Sequence, residues 1–274
     1  METIAVLLTV HNRKEKTLNC LRRLYSQEKI DQYVVDVFLT DDGCTDGTSM
    51  AVKEEFPNVN IINGDGTLFW NRGMYEAWSA ASSTRDYDYY LWLNDDTYLV
   101  VDALDYIIKS NKKLGKHCVI AGATCSEKDK NKTTYSGFVG KEMVKMNNTF
   151  QKVEKINGNF VLIPRSVYYI LGKNDPYFRH SFGDMDYGLR ANRKGIPCFI
   201  TNKFVGTCEE HDKKIKCFDT TYSLKERMRN FYSPLGMNPF EFFHMNVRSL
   251  GILKAISVFL STHLRVFFPK LWVK

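Results

Sequence analysis

The sequence lacks paired cysteines, a long apolar run and a secretory signal. Its seven cysteines are scattered singly and form no Cys-x-x-Cys pair, which disfavours both a disulfide framework and a zinc site. No uninterrupted apolar stretch approaches the roughly 20 residues that span a bilayer. A strand-like run at residues 4–10 begins almost at once, so we expect no signal or transit peptide ahead of the fold. These absences predict reduced thiols and a cytoplasmic protein.

Two glycine-rich phosphate loops are also missing. The sequence contains no Gly-x-x-x-x-Gly-Lys-Ser/Thr, which argues against a P-loop NTPase, and no Gly-x-Gly-x-x-Gly after the first strand, which argues against a dinucleotide oxidoreductase. What remains is an ordinary globular composition, 44% hydrophobic and 25% charged over 274 residues, enough for one large domain and an appendage. The formal net charge of +7 favours anionic partners such as nucleotide diphosphates, acidic lipids or nucleic acid.

Apolar runs alternate with helical spacing through the first hundred residues. Strands are predicted at residues 4–10, 34–40, 59–62 and 89–93, and helices are predicted between them at about 18–25, 50–56 and 71–81, with Thr45 or Asp46 as the N-cap of the second. Further on, the sequence predicts helices over about 102–114 and 177–195 and strands at 119–123, 157–165 and 197–201. This alternation predicts an α/β fold with a doubly wound, mostly parallel sheet flanked by helices.

Two adjacent carboxylates, Asp95 and Asp96, end the fourth predicted strand. Ligand sites of open α/β sheets lie beyond the carboxyl ends of the strands, so we expect both residues in a cleft. Two such close carboxylates repel each other unless a cation or a basic partner neutralises them. Oxygen ligands suit Mg²⁺ or Mn²⁺, which take one or two protein carboxylates plus phosphates and water. A solvated loop or helix cap is the alternative for an isolated Asp-Asp pair.

A second charged segment contains Asp184 and Asp186. On a helix, residues two apart point to roughly opposite sides, so the two should have different roles. Asp186 lies four residues before Arg190, a spacing that favours an ion pair. Asp184 is therefore the better candidate for a catalytic base, and the alternative is a carboxylate that only stabilises the start of the helix.

Beyond Ser223, basic and apolar residues mix. Segments 239–247 and 248–268 suit amphipathic helices with a cationic rim, as at a membrane surface. A helical subdomain packed on the sheet, or an oligomer contact such as a homodimer, is the alternative. Because the basic residues lie mostly in this tail and not around an aromatic platform, a nucleic-acid partner is disfavoured.

Four motifs follow one another in a defined order. They are residues 6–13 with a Thr-x-x-Asn-Arg turn, 40–47 (Thr-Asp-Asp-Gly-Cys-Thr-Asp-Gly), 93–96 (Leu-Asn-Asp-Asp), and 157–164 followed by 182–190. In this order they resemble the family 2 glycosyltransferases, inverting nucleotide-sugar enzymes of the GT-A fold, and especially bacterial rhamnosyltransferase-like members that build cell-surface polysaccharides. The resemblance covers about residues 3–212. It implies a GT-A domain at 1–215, with a nucleotide-binding half (1–100) and an acceptor half (101–215). The mixed basic and apolar composition predicts a basic amphipathic helical tail, which we place at 216–274.

The resemblance implies a donor pocket for a nucleotide sugar of the UDP or dTDP type, and metal ligands for Mn²⁺ or Mg²⁺. Asp96, with Asp95, would hold the metal on the diphosphate, and His211 falls where many GT-A enzymes place a late histidine ligand. Glycines would let the backbone approach the donor, and Arg72 would meet a phosphate. The predicted donor-binding residues are Thr9, Asn12, Arg13, Asp41, Asp42, Gly64, Gly66, Arg72, Asn94 and Asp95.

On the acceptor side, Asp184 would deprotonate the hydroxyl of a glycan or lipid-linked glycan, with Phe182, Gly183 and His180 nearby. The implied location is the cytoplasm, with attachment to the cytoplasmic face of the inner membrane as a further expectation. Two positions depart from the family pattern. Asn94 replaces the first acid of Asp-x-Asp, and Gly183 replaces the Glu of a Glu-Asp motif.

Other interpretations stay open at this point. Trp70 is predicted either to stack on a ligand ring or to belong to the core. A Mg²⁺-dependent sugar nucleotidyltransferase shares the sheet and the acidic strand end, although it would want a glycine- and lysine-bearing loop after the first strand. A non-catalytic sugar- or nucleotide-binding module is the non-enzyme alternative.

Overall fold

A computed structural model describes residues 1–210 and 216–272. Short 3-10 turns at Ile30–Gln32, Lys216–Phe218 and Pro269–Trp272 accompany the regular elements. The strands are β1 (Glu2–Val10), β2 (Tyr33–Asp41), β3 (Asn60–Asn63), β4 (Tyr89–Leu93), β5 (Tyr98–Leu99), β6 (Val119–Cys125), β7 (Thr133–Tyr135), β8 (Gly137–Val139), β9 (Glu142–Met143), β10 (Gln151–Val153), β11 (Lys155–Ile156), β12 (Phe160–Pro164) and β13 (Cys198–Thr207). The helices are α1 (Lys14–Tyr25), α2 (Thr48–Glu55), α3 (Phe69–Thr84), α4 (Ala103–Lys113), α5 (Arg165–Leu171), α6 (Gly183–Arg193), α7 (Leu224–Tyr232), α8 (Pro239–Leu250) and α9 (Ile252–Phe267).

The main sheet has the strand order β10-β13-β6-β12-β4-β1-β2-β3. Strands β3, β2, β1 and β4 run parallel to their neighbours, β12 lies antiparallel between β4 and β6, and β13 is parallel to β6. Strands β5 and β7 pair with β13 and β6, and a small separate sheet has the order β11-β8-β9. The predicted α/β fold with a mostly parallel sheet between helices is confirmed.

Strand β4 is buried on both faces of the sheet. Tyr89, Leu91 and Leu93 belong to one core cluster, which includes residues of α1 and α4, while Tyr90 and Trp92 belong to the other, which includes residues of α3 and α6. Because side chains alternate along a strand, both helical layers hold β4 in one register. That register places the residues that follow Leu93 at the carboxyl edge of the sheet.

Three local predictions were wrong in detail. The second helix begins at Thr48 with Gly47 as its N-cap, although the Asp46 carboxylate still accepts the Thr48 amide (3.1 Å). The helix predicted from 177 begins only at Gly183, because Phe182 has a left-handed backbone (φ 72°) that interrupts the interior of an α-helix. Strand β13 runs six residues further than predicted, since register shifts after Ile200 and Phe204 break the alternation that would indicate a strand.

The described part of the tail contains α7, α8 and α9, and α8 is joined to residues 175–186 by ion pairs of Glu241 and Arg248. Asn238 caps α8 through the amides of Phe240 and Glu241 (both 3.2 Å), and Gly251 (φ 83°) separates α8 from α9. The amphipathic helices predicted for this region are α8 and α9. Within residues 1–210 and 216–272, no helix combines the length and the apolar character needed to cross a bilayer.

Candidate active site

A cavity of about 760 Å³ opens at the carboxyl ends of β1 and β4, between the N-termini of α3 and α6. The predicted acid pair and Asp184 both line it. Ten of the residues predicted for the site line it: Thr9, Arg13, Asp42, Gly66, Asn94, Asp95, Asp96, His180, Phe182 and Asp184.

The acid pair is held by one guanidinium. Arg13 Nη1 lies 3.0 Å from Asp95 Oδ1 and 2.9 Å from Asp96 Oδ2, and both carboxylates are nearly buried. Thr17 Oγ1 also donates to Asp95 (3.3 Å). Burial raises the pKa of Asp95 to about 6, and Asp96 adds to the rise, while Arg13 and Thr17 oppose it. The basic partner that the sequence left open as an alternative to a metal is therefore Arg13, 82 residues away from Asp95.

The same two carboxylates fit a divalent cation. Their oxygens converge on Arg13 Nη1 within 3.0 Å, so a divalent cation bound by both would take the place of that nitrogen. Within the described residues, no cluster of three or more His, Cys, Asp or Glu side chains could hold a metal. A pair of carboxylates nevertheless matches the usual Mg²⁺ arrangement, in which phosphates and water complete the shell. His211 lies outside the described residues.

Asn94, which replaces the first acid of Asp-x-Asp, binds a tryptophan. Its side-chain Oδ1 accepts the Trp70 indole N–H (2.7 Å), and its backbone N–H donates to the backbone carbonyl of Asn159 (2.9 Å). Trp70 lines the cavity, meets Trp92 edge-on (5.8 Å between centroids), and lies so close to Gly158 that a Cβ there would be 2.5 Å from its ring. Trp70 therefore packs against the core and also lines the cavity, and its stacking on a ligand ring stays a prediction.

Asp42 organises the loop that leads into α3. Its carboxylate accepts the amides of Gly66 (2.9 Å), Leu68 (3.2 Å) and Phe69 (2.8 Å). Phe69 has a positive φ of 56°, a conformation that costs a non-glycine residue about 1–3 kcal/mol and that these bonds help to maintain. His11, which the sequence analysis did not single out, lines the cavity and bonds Asp42 O through Nδ1 (2.6 Å).

Among the residues that the structure describes, four predicted donor residues lie outside the cavity wall. Asp41 accepts the Cys44 amide (2.6 Å) and the Ser49 hydroxyl. Although burial raises the pKa of Asp41, these bonds outweigh it and hold the pKa below its ordinary value. The other three are also engaged elsewhere: Asn12 accepts the Thr45 amide (2.7 Å), Gly64 packs against Asp42, and Arg72 donates to Pro176 O (2.8 Å).

Asp184 is the second residue of α6 and faces the cavity that Asp96 also lines. Its Oδ2 accepts the Gly158 amide (2.9 Å) and its Oδ1 accepts the Met185 amide (2.7 Å), so its orientation is fixed. Burial raises the pKa of Asp184 to about 6 against the lowering effect of these amides. Its place at the helix start also favours a negative charge, so a dipole role and a base role are compatible.

The family model described as Glycosyl transferase family 2 matches residues 5–177, which is more than half of the chain. The chain belongs to glycosyl transferase family 2. The matched range includes the acid pair and ends before Asp184. No curated protein matches the chain.

Membership of family 2 makes this protein a glycosyltransferase of the GT-A type and implies binding of a nucleotide-sugar donor and a glycan acceptor. The family often uses divalent metals. The acid pair and the mostly parallel sheet agree with this membership, whereas the residues around Asp184 lie beyond the matched range.

In this family 2 glycosyltransferase, steric crowding explains why residue 183 is Gly and not the Glu of the family pattern. A Cβ at this position would lie 1.9 Å from Asn71 Oδ1, so the Glu of the Glu-Asp pattern would fit only if Asn71 moved aside. Asn71 is buried and donates to Phe178 O (2.7 Å) and Asp175 O (2.8 Å). Gly183 itself is outside the cavity wall of the described residues, and it allows α6 to start against Asn71.

The different roles predicted for Asp184 and Asp186 agree with their surroundings. Asp186 is almost fully buried, and the predicted pair with Arg190 is confirmed at 2.9 Å. A second guanidinium, Arg248 of α8, lies 3.2 Å from both of its carboxylate oxygens. Nothing in the local sequence indicated this partner, which lies 62 residues away.

The tail also contributes to the cavity. Leu235, between α7 and α8, lines it, and Phe242 of α8 packs against the cavity residue Phe182 (5.3 Å between centroids). The glycosyltransferase cavity is thus completed by a segment outside the family match.

Proposed function

We propose that this protein transfers a hexosyl group from a UDP- or dTDP-type nucleotide sugar to a hydroxyl of a glycan or lipid-linked glycan, with inversion at the anomeric carbon. The proposed setting is bacterial cell-surface polysaccharide synthesis in the cytoplasm, and the proposed activity is similar to that of the rhamnosyltransferases. The observation that carries the proposal is that Asp96 and Asp184 face one cavity of about 760 Å³. A cavity of this size suits a small-molecule ligand.

The donor diphosphate would lie against the acid pair. Asp96, with Asp95, would hold Mn²⁺ or Mg²⁺, and the bound metal would offset the negative charge that develops on the leaving phosphate. Arg13, whose Nη1 lies 2.9 Å from Asp96, would move aside for the metal and would then add its positive charge to the attraction for the diphosphate. Asn94 and Asp42 support this side by positioning Trp70 and the loop that contains Gly66.

The acceptor hydroxyl would lie against Asp184. With a pKa of about 6, this carboxylate is mostly ionised at pH 7 and is still basic enough to accept a proton in the transition state. The amides of Gly158 and Met185 fix both oxygens, so the proton acceptor stays aimed at the cavity. Attack from this side, opposite the leaving group, is a single displacement and inverts the anomeric centre.

Calorimetric titration of UDP and dTDP with and without Mn²⁺ tests the donor half of the proposal. We expect binding that strengthens with Mn²⁺, and we expect Asp96→Asn to lose that dependence. Asp184→Asn is the matched control, because it should bind the nucleotide as the wild type does. If the wild type binds the nucleotide equally well with and without Mn²⁺, the proposed site is contradicted. A separate thermal-shift panel of nucleotide sugars identifies the donor, because a ligand of the native state raises its melting temperature.

A further inference from the structure

Helix α9 has an apolar stripe on its outer face. Leu253, Ile256, Leu260, Leu264 and Phe267 follow one another at intervals of three and four residues, which places them along one side of a helix. All five are 43 to 81% exposed. The opposite side of α9 is buried, so the helix is apolar on both faces although only one face packs within the chain. We name these five residues the α9 stripe.

The α9 stripe continues into its surroundings. Leu250 at the end of α8, Ile252 at the start of α9, and Phe268 and Leu271 just after the end of α9 are also exposed. Large contiguous apolar patches are rare on soluble monomers and mark interaction sites. We therefore expect the α9 stripe to bind a partner with an apolar surface or layer.

The segment that contains the stripe has basic but no acidic residues. The sequence from 242 to 274 contains no Asp or Glu and five Lys and Arg residues, and within the described residues only Arg248 of these is paired with acidic side chains. Two of the five, Lys254 and Arg265, lie eleven residues apart, close to three full turns, so both project from one side of α9, about a third of a turn from the stripe, and Arg265 also lies over the Phe218 ring (4.2 Å to the centroid). A second copy of this chain would bring two cationic faces together. An anionic bilayer offers the complementary charge and an apolar layer beneath it.

We propose that α9 binds the surface of an anionic lipid bilayer, with the α9 stripe entering the boundary between headgroups and acyl chains. Lys254 and Arg265 then lie at the level of the headgroups. The helix has 16 residues, about 24 Å, and its inner face is packed on the protein, so it lies in the plane of the surface.

This surface is tied firmly to the cavity. Phe259 on the inner side of α9 packs against Phe243 of α8 (5.5 Å between centroids). Helix α8 is in turn fixed to the acceptor half by Glu241, which pairs with Arg179 (2.7 Å), and by Arg248, which pairs with Asp175 (2.6 Å) and Asp186 (3.2 Å). Bilayer binding through α9 therefore holds the cavity at a set position relative to the lipid. We assign the acceptor to the lipid-linked class on this ground, and that assignment depends on the proposed transferase function.

Co-sedimentation with phosphatidylcholine vesicles, with and without phosphatidylglycerol, tests the surface using the full chain. We expect binding only to the phosphatidylglycerol vesicles, falling as salt rises. The triple variant Leu253→Ser, Leu260→Ser, Leu264→Ser should bind them at least about tenfold more weakly, with an unchanged melting temperature. A matched control, Met50→Ser, Val101→Ser, Ile170→Ser, removes equally exposed apolar side chains elsewhere and should bind as the wild type does.

Several outcomes overturn the proposal. The proposal is refuted if the wild-type protein fails to sediment with phosphatidylglycerol vesicles at low salt. It is also refuted if the stripe variant binds these vesicles as tightly as the wild type. Loss of a dimer in the stripe variant without any effect on vesicle binding assigns the stripe to a second copy instead.

Two transfer assays, one with a soluble acceptor and one with a vesicle-borne acceptor, distinguish failure of the lipid-linked assignment from failure of the proposed transferase function. The stripe variant should lose transfer only to the vesicle-borne acceptor, because the stripe is outside the cavity wall. Equal transfer by the wild type and the stripe variant to the vesicle-borne acceptor refutes the lipid-linked assignment. Absence of transfer by the wild type to both acceptors refutes the proposed function and leaves the vesicle-binding result standing.

Discussion

The substitution Asp184→Asn separates catalysis from stability. The pKa of Asp184 is raised from its ordinary value of 3.8 to about 6. This shift means that the ionised carboxylate lowers the unfolding free energy by about 3 kcal/mol. Because the folded-state pKa is the higher one, the wild type loses stability as pH rises from about 4 to about 6, and the full loss is present at pH 7. Asn removes this penalty, but its single oxygen cannot accept both the Gly158 and the Met185 amide.

An unpartnered buried amide costs about 1–3 kcal/mol, so the two effects nearly cancel. We expect the unfolding free energy of Asp184→Asn at pH 7 to lie within about 2 kcal/mol of the wild type, measured by urea denaturation. Loss of a general base lowers kcat by about 10²–10⁴-fold. The assay is initial-rate transfer at saturating donor and Mn²⁺, with nucleotide affinity measured in parallel and expected to be unchanged.

Asp186→Asn is the matched control on the same helix. It leaves Arg190 and Arg248 without their shared carboxylate and should cost about 3 kcal/mol of stability. Its kcat at a temperature where it stays folded should be close to that of the wild type. A stable Asp184→Asn enzyme that keeps kcat within about tenfold of the wild type refutes Asp184 as the base.

Three further predictions concern the same cavity. At saturating donor and Mn²⁺, kcat should fall about tenfold for each pH unit below about 6, because Asp184 must be ionised to accept a proton, and a flat profile between pH 5 and 7 contradicts this. Gly183→Ala should lose about 3 kcal/mol of stability in urea denaturation, since a Cβ would lie 1.9 Å from Asn71 Oδ1, and a loss below about 1 kcal/mol shows that Asn71 can move aside. Asn94→Asp keeps an acceptor for Trp70 and adds a third carboxylate beside the acid pair, so Mn²⁺ affinity in calorimetry should rise about tenfold. Unchanged or weaker Mn²⁺ binding would show that residue 94 does not face the metal.

Local patterns predicted the parts of this molecule that depend on neighbours in sequence. The apolar run of β4, the acids after it and the four-residue spacing of Asp186 and Arg190 could all be seen without coordinates. Contacts between distant residues could not. Arg13 pairs with acids 82 and 83 residues away, and Asn71 fills the space beside Gly183.

Backbone geometry was equally hidden. Phe69 and Phe182 both have positive φ at the starts of α3 and α6, and a sequence gives no signal for an aromatic residue in that conformation. The same limit explains why the helix predicted from 177 starts at Gly183. Both aromatic residues line the cavity, so the least predictable backbone lies at the site.

The most direct measurement is a crystal structure of the protein with Mn²⁺ and a bound nucleotide sugar. The diphosphate should lie against Asp96, and the anomeric carbon should face the Asp184 carboxylate across the cavity. A donor bound with its sugar pointing away from Asp184, or a diphosphate bound away from Asp96, would contradict the account.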